Sequence, residues 1–123
     1  MLNRRQKFGK KSEKLAVGAL KKMGYKILKT NYRTKFGEID IIAKEKNTIV
    51  FVEVKARKSK RYGNPKLAVT QKKQRTISMV ALAYLQSEDL MTSKARFDVV
   101  AITDMSERPV IEIIRNAFEL AYG

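Results

Sequence analysis

The sequence predicts an α/β fold, with a central mixed β-sheet flanked by helices in the order αβββαββ. Three observations carry this expectation. Two stretches, 6–23 and 67–86, repeat apolar residues at the three-to-four spacing of an amphipathic helix. Five shorter stretches are rich in Ile, Val and aromatic residues, as strands are. Helical and strand patterns are interleaved, and 123 residues with 44% apolar content suffice for one core. A single domain over 1–123 follows.

The first helix sets Phe8, Leu15, Ala16, Ala19, Leu20 and Met23 on one stripe, and Gly24 stops it as a C′ residue would. On a wheel of 100° per residue Glu13 falls about 20° from Leu20, at the border of that stripe. Residues 25–32 read as a strand and 34–37 as a turn. Residues 38–44 and 48–56 are stronger strands, broken by Glu45, Lys46 and Asn47, and look like an antiparallel hairpin. A basic loop, 57–66, carries Gly63 and Pro65. The second helix places Ile77, Val80, Ala81 and Tyr84 on its buried stripe, with Lys73 one turn before Ile77. Strands at 95–103 and 110–114 flank a turn with Pro109, and 117–121 reads as a short closing helix.

Composition excludes much chemistry. With no Cys and no His there are no disulfides, imidazole bases or thiolate zinc sites. A hard, oxygen-liganded cation, Mg²⁺ or Mn²⁺, is the kind of metal that fits. The basic opening MLNRRQKFGKK lacks a signal-peptide core and no segment approaches a membrane span, so the chain reads as cytoplasmic, with no membrane partner. Net charge is +15, unevenly spread: residues 1–87 hold 23 Lys or Arg and five acids, residues 88–123 four and seven. So polarised a surface fits a polyanion, with nucleic acid the natural candidate.

The five acids of the basic part are Glu13, Glu38, Asp40, Glu45 and Glu53, and three of them lie among apolar residues. In the hairpin, alternation puts Ile49, Phe51, Glu53 and Lys55 on one face of the second strand, and Glu38, Asp40 and Ile42 on one face of the first. A loop of two or four residues sets Asp40 opposite Glu53; a loop of three sends them to opposite faces. In the even register the carboxylates repel unless a cation joins them. They could instead be solvent-facing acids of a half-exposed hairpin, but both strands are apolar on both faces, with Ile39, Ile41 and Ala43 together on one, which marks central strands.

GEIDIIA followed by VFVEVKAR resembles the split carboxylate motif of the PD-(D/E)XK restriction-endonuclease-like superfamily, as Asp40…Glu53-Val54-Lys55. Ile39 stands where that superfamily often has Pro. The whole chain is similar to the YraN family of small bacterial proteins, through the Glu13 helix, GYKILKTNYR, the loop with GNP, Lys73-Gln74 and FDVVAI. That family is similar in fold to archaeal Holliday-junction resolvases. The resemblance implies a restriction-endonuclease-like domain in which Asp40 and Glu53 hold one or two Mg²⁺ (or Mn²⁺), with the Val54 carbonyl and Glu13 completing the site and Lys55 positioning water.

Lys73, near a helix N-terminus, and Arg33, Lys35, Arg57, Lys58, Lys60, Arg61 and Lys66 are candidate phosphate contacts. Tyr32 and Tyr62 are stacking or packing residues, and Asp98 an alternative ligand or a structural acid. The expected function is metal-dependent endonucleolysis of DNA, branched or junction DNA included, with a homodimer suited to paired cuts. The alternative is a nucleic-acid-binding module that keeps the fold without cutting.

Overall fold

The structure, a computed structural model, describes residues 4–58, 69–103 and 108–119, with side chains from residue 9 onward. Helix α1 (Arg4–Lys22) leads into strands β1 (Lys26–Thr34), β2 (Gly37–Glu45) and β3 (Thr48–Arg57). Helix α2 (Gln71–Ser87) and strands β4 (Lys94–Thr103) and β5 (Val110–Phe118) complete the αβββαββ order. The sheet runs β1-β2-β3-β4-β5, with only the β3–β4 pair parallel. A parallel pair needs a crossover, and the segment containing α2 provides it.

Local chemistry sets the helix ends. Gly24, at φ 92, donates to the Lys21 carbonyl and Tyr25 to that of Leu20, both at 3.0 Å, the paired bonds that close a helix on a left-handed glycine. Helix α2 begins at Gln71 rather than at 67, because Thr70 caps it, its hydroxyl accepting the Lys73 N–H at 3.1 Å.

The closing helix expected at 117–121 does not form where the chain is described: Ala117 and Phe118 extend β5, and 120–121 lie outside the described residues. Asn116, at φ 52, donates its N–H to Asp98 at 2.9 Å beside a register shift between Phe97 and Val99. This irregularity lets the strand continue, and Phe118 stacks on Phe97 with ring centroids 4.7 Å apart.

Both sheet faces are covered. On one, Ile77, Val80 and Tyr84 of α2 pack on Ile39, Ile42 and Phe51. On the other, Ala16 and Leu20 of α1 pack on Ile41, Ala43, Val50 and Val52. This sandwiching explains the near-continuous apolar run of β3. The alternation expected for β2 breaks at Asp40: Ile39 joins the α2 face, whereas Ile41 and Ala43 join the α1 face. The β2–β3 ladder ends at the Ile41–Val52 pair, so β2 is free to twist away from β3 beyond it. Among the described residues no helix is long and apolar enough to cross a membrane.

Candidate active site

The turn between β2 and β3 decides the geometry. Its loop is the two residues Lys46 and Asn47, closed by the Glu45–Thr48 pair, with Lys46 at φ 54 as the first loop position of a tight hairpin can require. This is an even register: Asp40 and Glu53 occupy facing positions one step beyond the Ile41–Val52 pair. There the ladder has opened, and the Asp40 carboxylate takes the place of a backbone acceptor, receiving the Val54 N–H on Oδ2 at 2.8 Å.

The two carboxyls meet. The Asp40 carboxyl lies near enough to that of Glu53 to oppose its ionisation. Glu53 is only 7% exposed, and its Oε2 is buried with no hydrogen-bond partner. The Lys73 ammonium lies 3.5 Å from that oxygen, an ion-pair distance without hydrogen-bond alignment. Burial first, then the hydrogen bond and charge of Asp40, push the Glu53 carboxyl up to about 8, while Lys73 and Lys55 pull it back.

A cleft of about 320 Å³ opens onto Asp40, walled by Ser12 and Glu13 of α1 and by Val54, Lys55 and Ala56 of β3. Glu13 stands on that wall, but both its oxygens accept from the Asn31 side-chain amide at 2.9 Å. Among the described residues no three His, Cys, Asp or Glu side chains come together to hold a metal. The core of the site is thus a pair, Asp40 and Glu53, flanked by Lys55 and Lys73. Asn31 was not singled out by sequence; its signal was an Asn amid strand formers, at the φ of 52° that Asn tolerates better than most residues.

The remaining candidates fall in several places. Arg57 reaches from the end of β3 to the Thr103 hydroxyl, Nε to Oγ1 at 3.3 Å, and Lys58 is exposed. Arg33 pairs with Glu38 at 3.4 Å, and Lys35 is exposed at the β1–β2 turn. Lys60, Arg61, Tyr62 and Lys66 lie outside the described residues. Tyr32 packs edge-on against Tyr84, centroids 5.3 Å apart, and so belongs to the core. Asp98 is fully buried and accepts from the Tyr25 hydroxyl (2.8 Å), Arg96 Nε (3.0 Å) and Asn116 N–H (2.9 Å), so it is structural.

Residues 12–102 match the model of a family described as "Uncharacterised protein family UPF0102". The chain belongs to UPF0102, the YraN family. It is 55% identical to a UPF0102 protein of Syntrophus aciditrophicus over 94% of this chain and 91% of the relative. A UPF0102 protein of Desulfosudis oleivorans is 50% identical over 97% and 95% of the two chains, and one of Geobacter metallireducens 54% identical over 93% of each. In UPF0102 terms, the matched segment contains Glu13, Asp40, Glu53, Lys55 and Lys73.

Proposed function

We propose that this YraN-family chain is a cytoplasmic, divalent-metal-dependent endonuclease that hydrolyses phosphodiester bonds in DNA, branched or junction DNA among its substrates. The buried Glu53 Oε2, which has no hydrogen-bond partner and lies beside the Asp40 carboxyl, supports the reading most directly. A buried carboxyl beside a second one, with an oxygen that lacks a hydrogen bond, is costly to ionise until a cation offsets its charge. The donor set is all oxygen, as Mg²⁺ and Mn²⁺ prefer, so the residues fit such an ion. Asp40 and Glu53 would hold it, with the Val54 carbonyl as a further oxygen donor and Glu13, on the cleft wall, able to join only by giving up Asn31.

When bound, the ion supplies a water of lowered pKa and offsets charge on the phosphate. The chain does the rest. Lys55, beside the carboxyls at the cleft, donates to the attacking water and offsets negative charge as it develops. The excess of basic residues before position 88 attracts the backbone without reading bases.

The deciding experiment incubates labelled duplex, flap, single-stranded and four-way-junction DNA, and RNA, with the protein and Mg²⁺ or Mn²⁺. At least one DNA is expected to be cut, and Glu53→Ala to lower the rate by about 100-fold or more. Affinity for DNA should hold or improve in that variant, because a carboxylate leaves a phosphate site. Binding of several substrates with cleavage of none would favour the second reading, a binding module that does not cut. One observation favours that alternative: Lys73 already gives Glu53 a counter-charge without a metal. Under the nuclease reading Lys73→Met is expected to tighten Mn²⁺ binding several-fold, since it removes a like charge from the ion's surroundings. Unchanged affinity in a Mn²⁺ titration would contradict this.

A further inference from the structure

Phe36 stands apart from the other rings. It is 43% exposed, and among the described side chains it is the only exposed aromatic one. Phe51, Tyr84, Phe97 and Phe118 pack on one another, and Tyr25 is buried. Singly exposed apolar residues are ordinary, and Met23, Met79, Met91 and Val110 need no special account. Phe36 differs in its place and its neighbours.

It sits at the tip of the β1–β2 hairpin, four residues before Asp40, roughly 13 Å along the strand. That span equals about four stacked base steps of 3.4 Å, or fewer nucleotides of an unstacked strand. The Lys35 ammonium lies over the ring, 5.3 Å from its centroid, and Arg33, ion-paired with Glu38 but 77% exposed, lies three residues before the ring. The tip is also held in place. Phe36 donates its N–H to the Thr34 hydroxyl at 3.0 Å, and Arg33 pairs with Glu38 across the two strands. Gly37, at φ 150, presses on α2 so closely that an added Cβ would lie 2.6 Å from Thr76 Cγ2.

We propose that Phe36 is a stacking platform for an unpaired nucleobase, held at the hairpin tip a few nucleotides' reach from Asp40, so that DNA with an unstacked nucleotide near the scissile phosphate is preferred. In an intact duplex both faces of a base are covered, and inserting a ring costs the unstacking of a step. An unpaired base has an open face and stacks without that cost, whatever its identity. Lys35 and Arg33 supply the phosphate attraction beside it. The inference rests on the reading of this cleft as a DNA site and adds the substrate feature it selects.

The chain contains no Trp, so Phe36→Trp introduces one indole whose emission reports stacking at this position. The test uses the full-length protein in EDTA with two duplexes of equal length, one fully paired and one carrying a single bulged thymidine. Phe36→Trp emission is expected to be quenched by the bulged duplex and little changed by the paired one. Phe36→Ala is expected to lose about tenfold in affinity for the bulged duplex while binding the paired one normally. Equal quenching by both, or a Phe36→Ala that weakens neither or both alike, would overturn the proposal. Because no metal is present, these outcomes are independent of cleavage: a protein that never cuts can still pass, and one that cuts can fail. No binding of either duplex at low salt would overturn both this inference and the DNA reading.

Discussion

Replacing Glu53 by Gln is expected to stabilise the metal-free protein above pH 8 by on the order of 4 kcal/mol relative to the wild type, and much less at pH 5. Folding raises the carboxyl from 4.5 to about 8. Between those values the folded state keeps a proton that the unfolded chain releases, so wild-type stability falls as pH rises through the window. Below it both states are protonated and nothing is lost; above it the full penalty of a buried carboxylate beside Asp40 has developed. Gln keeps the shape and hydrogen-bonding capacity but cannot ionise. Urea unfolding of both proteins in EDTA at pH 5 and pH 9 measures the effect. A stability difference that is the same at both pH values would contradict the account.

Asp98→Ala is expected to cost about 3–5 kcal/mol, a large share of the 5–15 kcal/mol that usually holds a domain together. Asp98 is fully buried, and its removal strands three donors at once, the Tyr25 hydroxyl, Arg96 Nε and the Asn116 N–H. Arg96, whose side chain is 16% exposed, would keep only Glu45 as its acidic partner. Tyr25 reports the same environment: burial chiefly, then the Asp98 hydrogen bond, push its hydroxyl up to about 12. The midpoint of denaturant unfolding measures the loss. A shift equivalent to less than about 1 kcal/mol would mean that Asp98 is not the centre of this network.

The order of elements was legible because each carries its own signal: apolar stripes ending at Gly24, and β-branched runs broken at Lys46 and Asn47. The opposition of Asp40 and Glu53 was legible only conditionally, since it depended on the parity of one turn. Three features were not readable because they depend on contacts between distant segments. Asn31, 18 residues from Glu13, engages that carboxylate's oxygens. The break in alternation at Asp40 follows from where the ladder opens, which no local pattern announces. The continuation of β5 through Phe118 depends on Asp98 receiving the Asn116 N–H and on Phe97 meeting Phe118. Lys73 was visible as a cation on a core-directed stripe, but its approach to Glu53 needed the fold.

If the chain is a metal-dependent nuclease, the Asp40 and Glu53 carboxyls together grip a divalent ion. Titration of Mn²⁺ into the wild type and Glu53→Gln, followed by the electron paramagnetic resonance of free Mn²⁺, tests it most directly. Saturable uptake by the wild type, reversed by excess Mg²⁺, is expected, with little or none by Glu53→Gln. Equal uptake by both proteins, or none by the wild type, would contradict it.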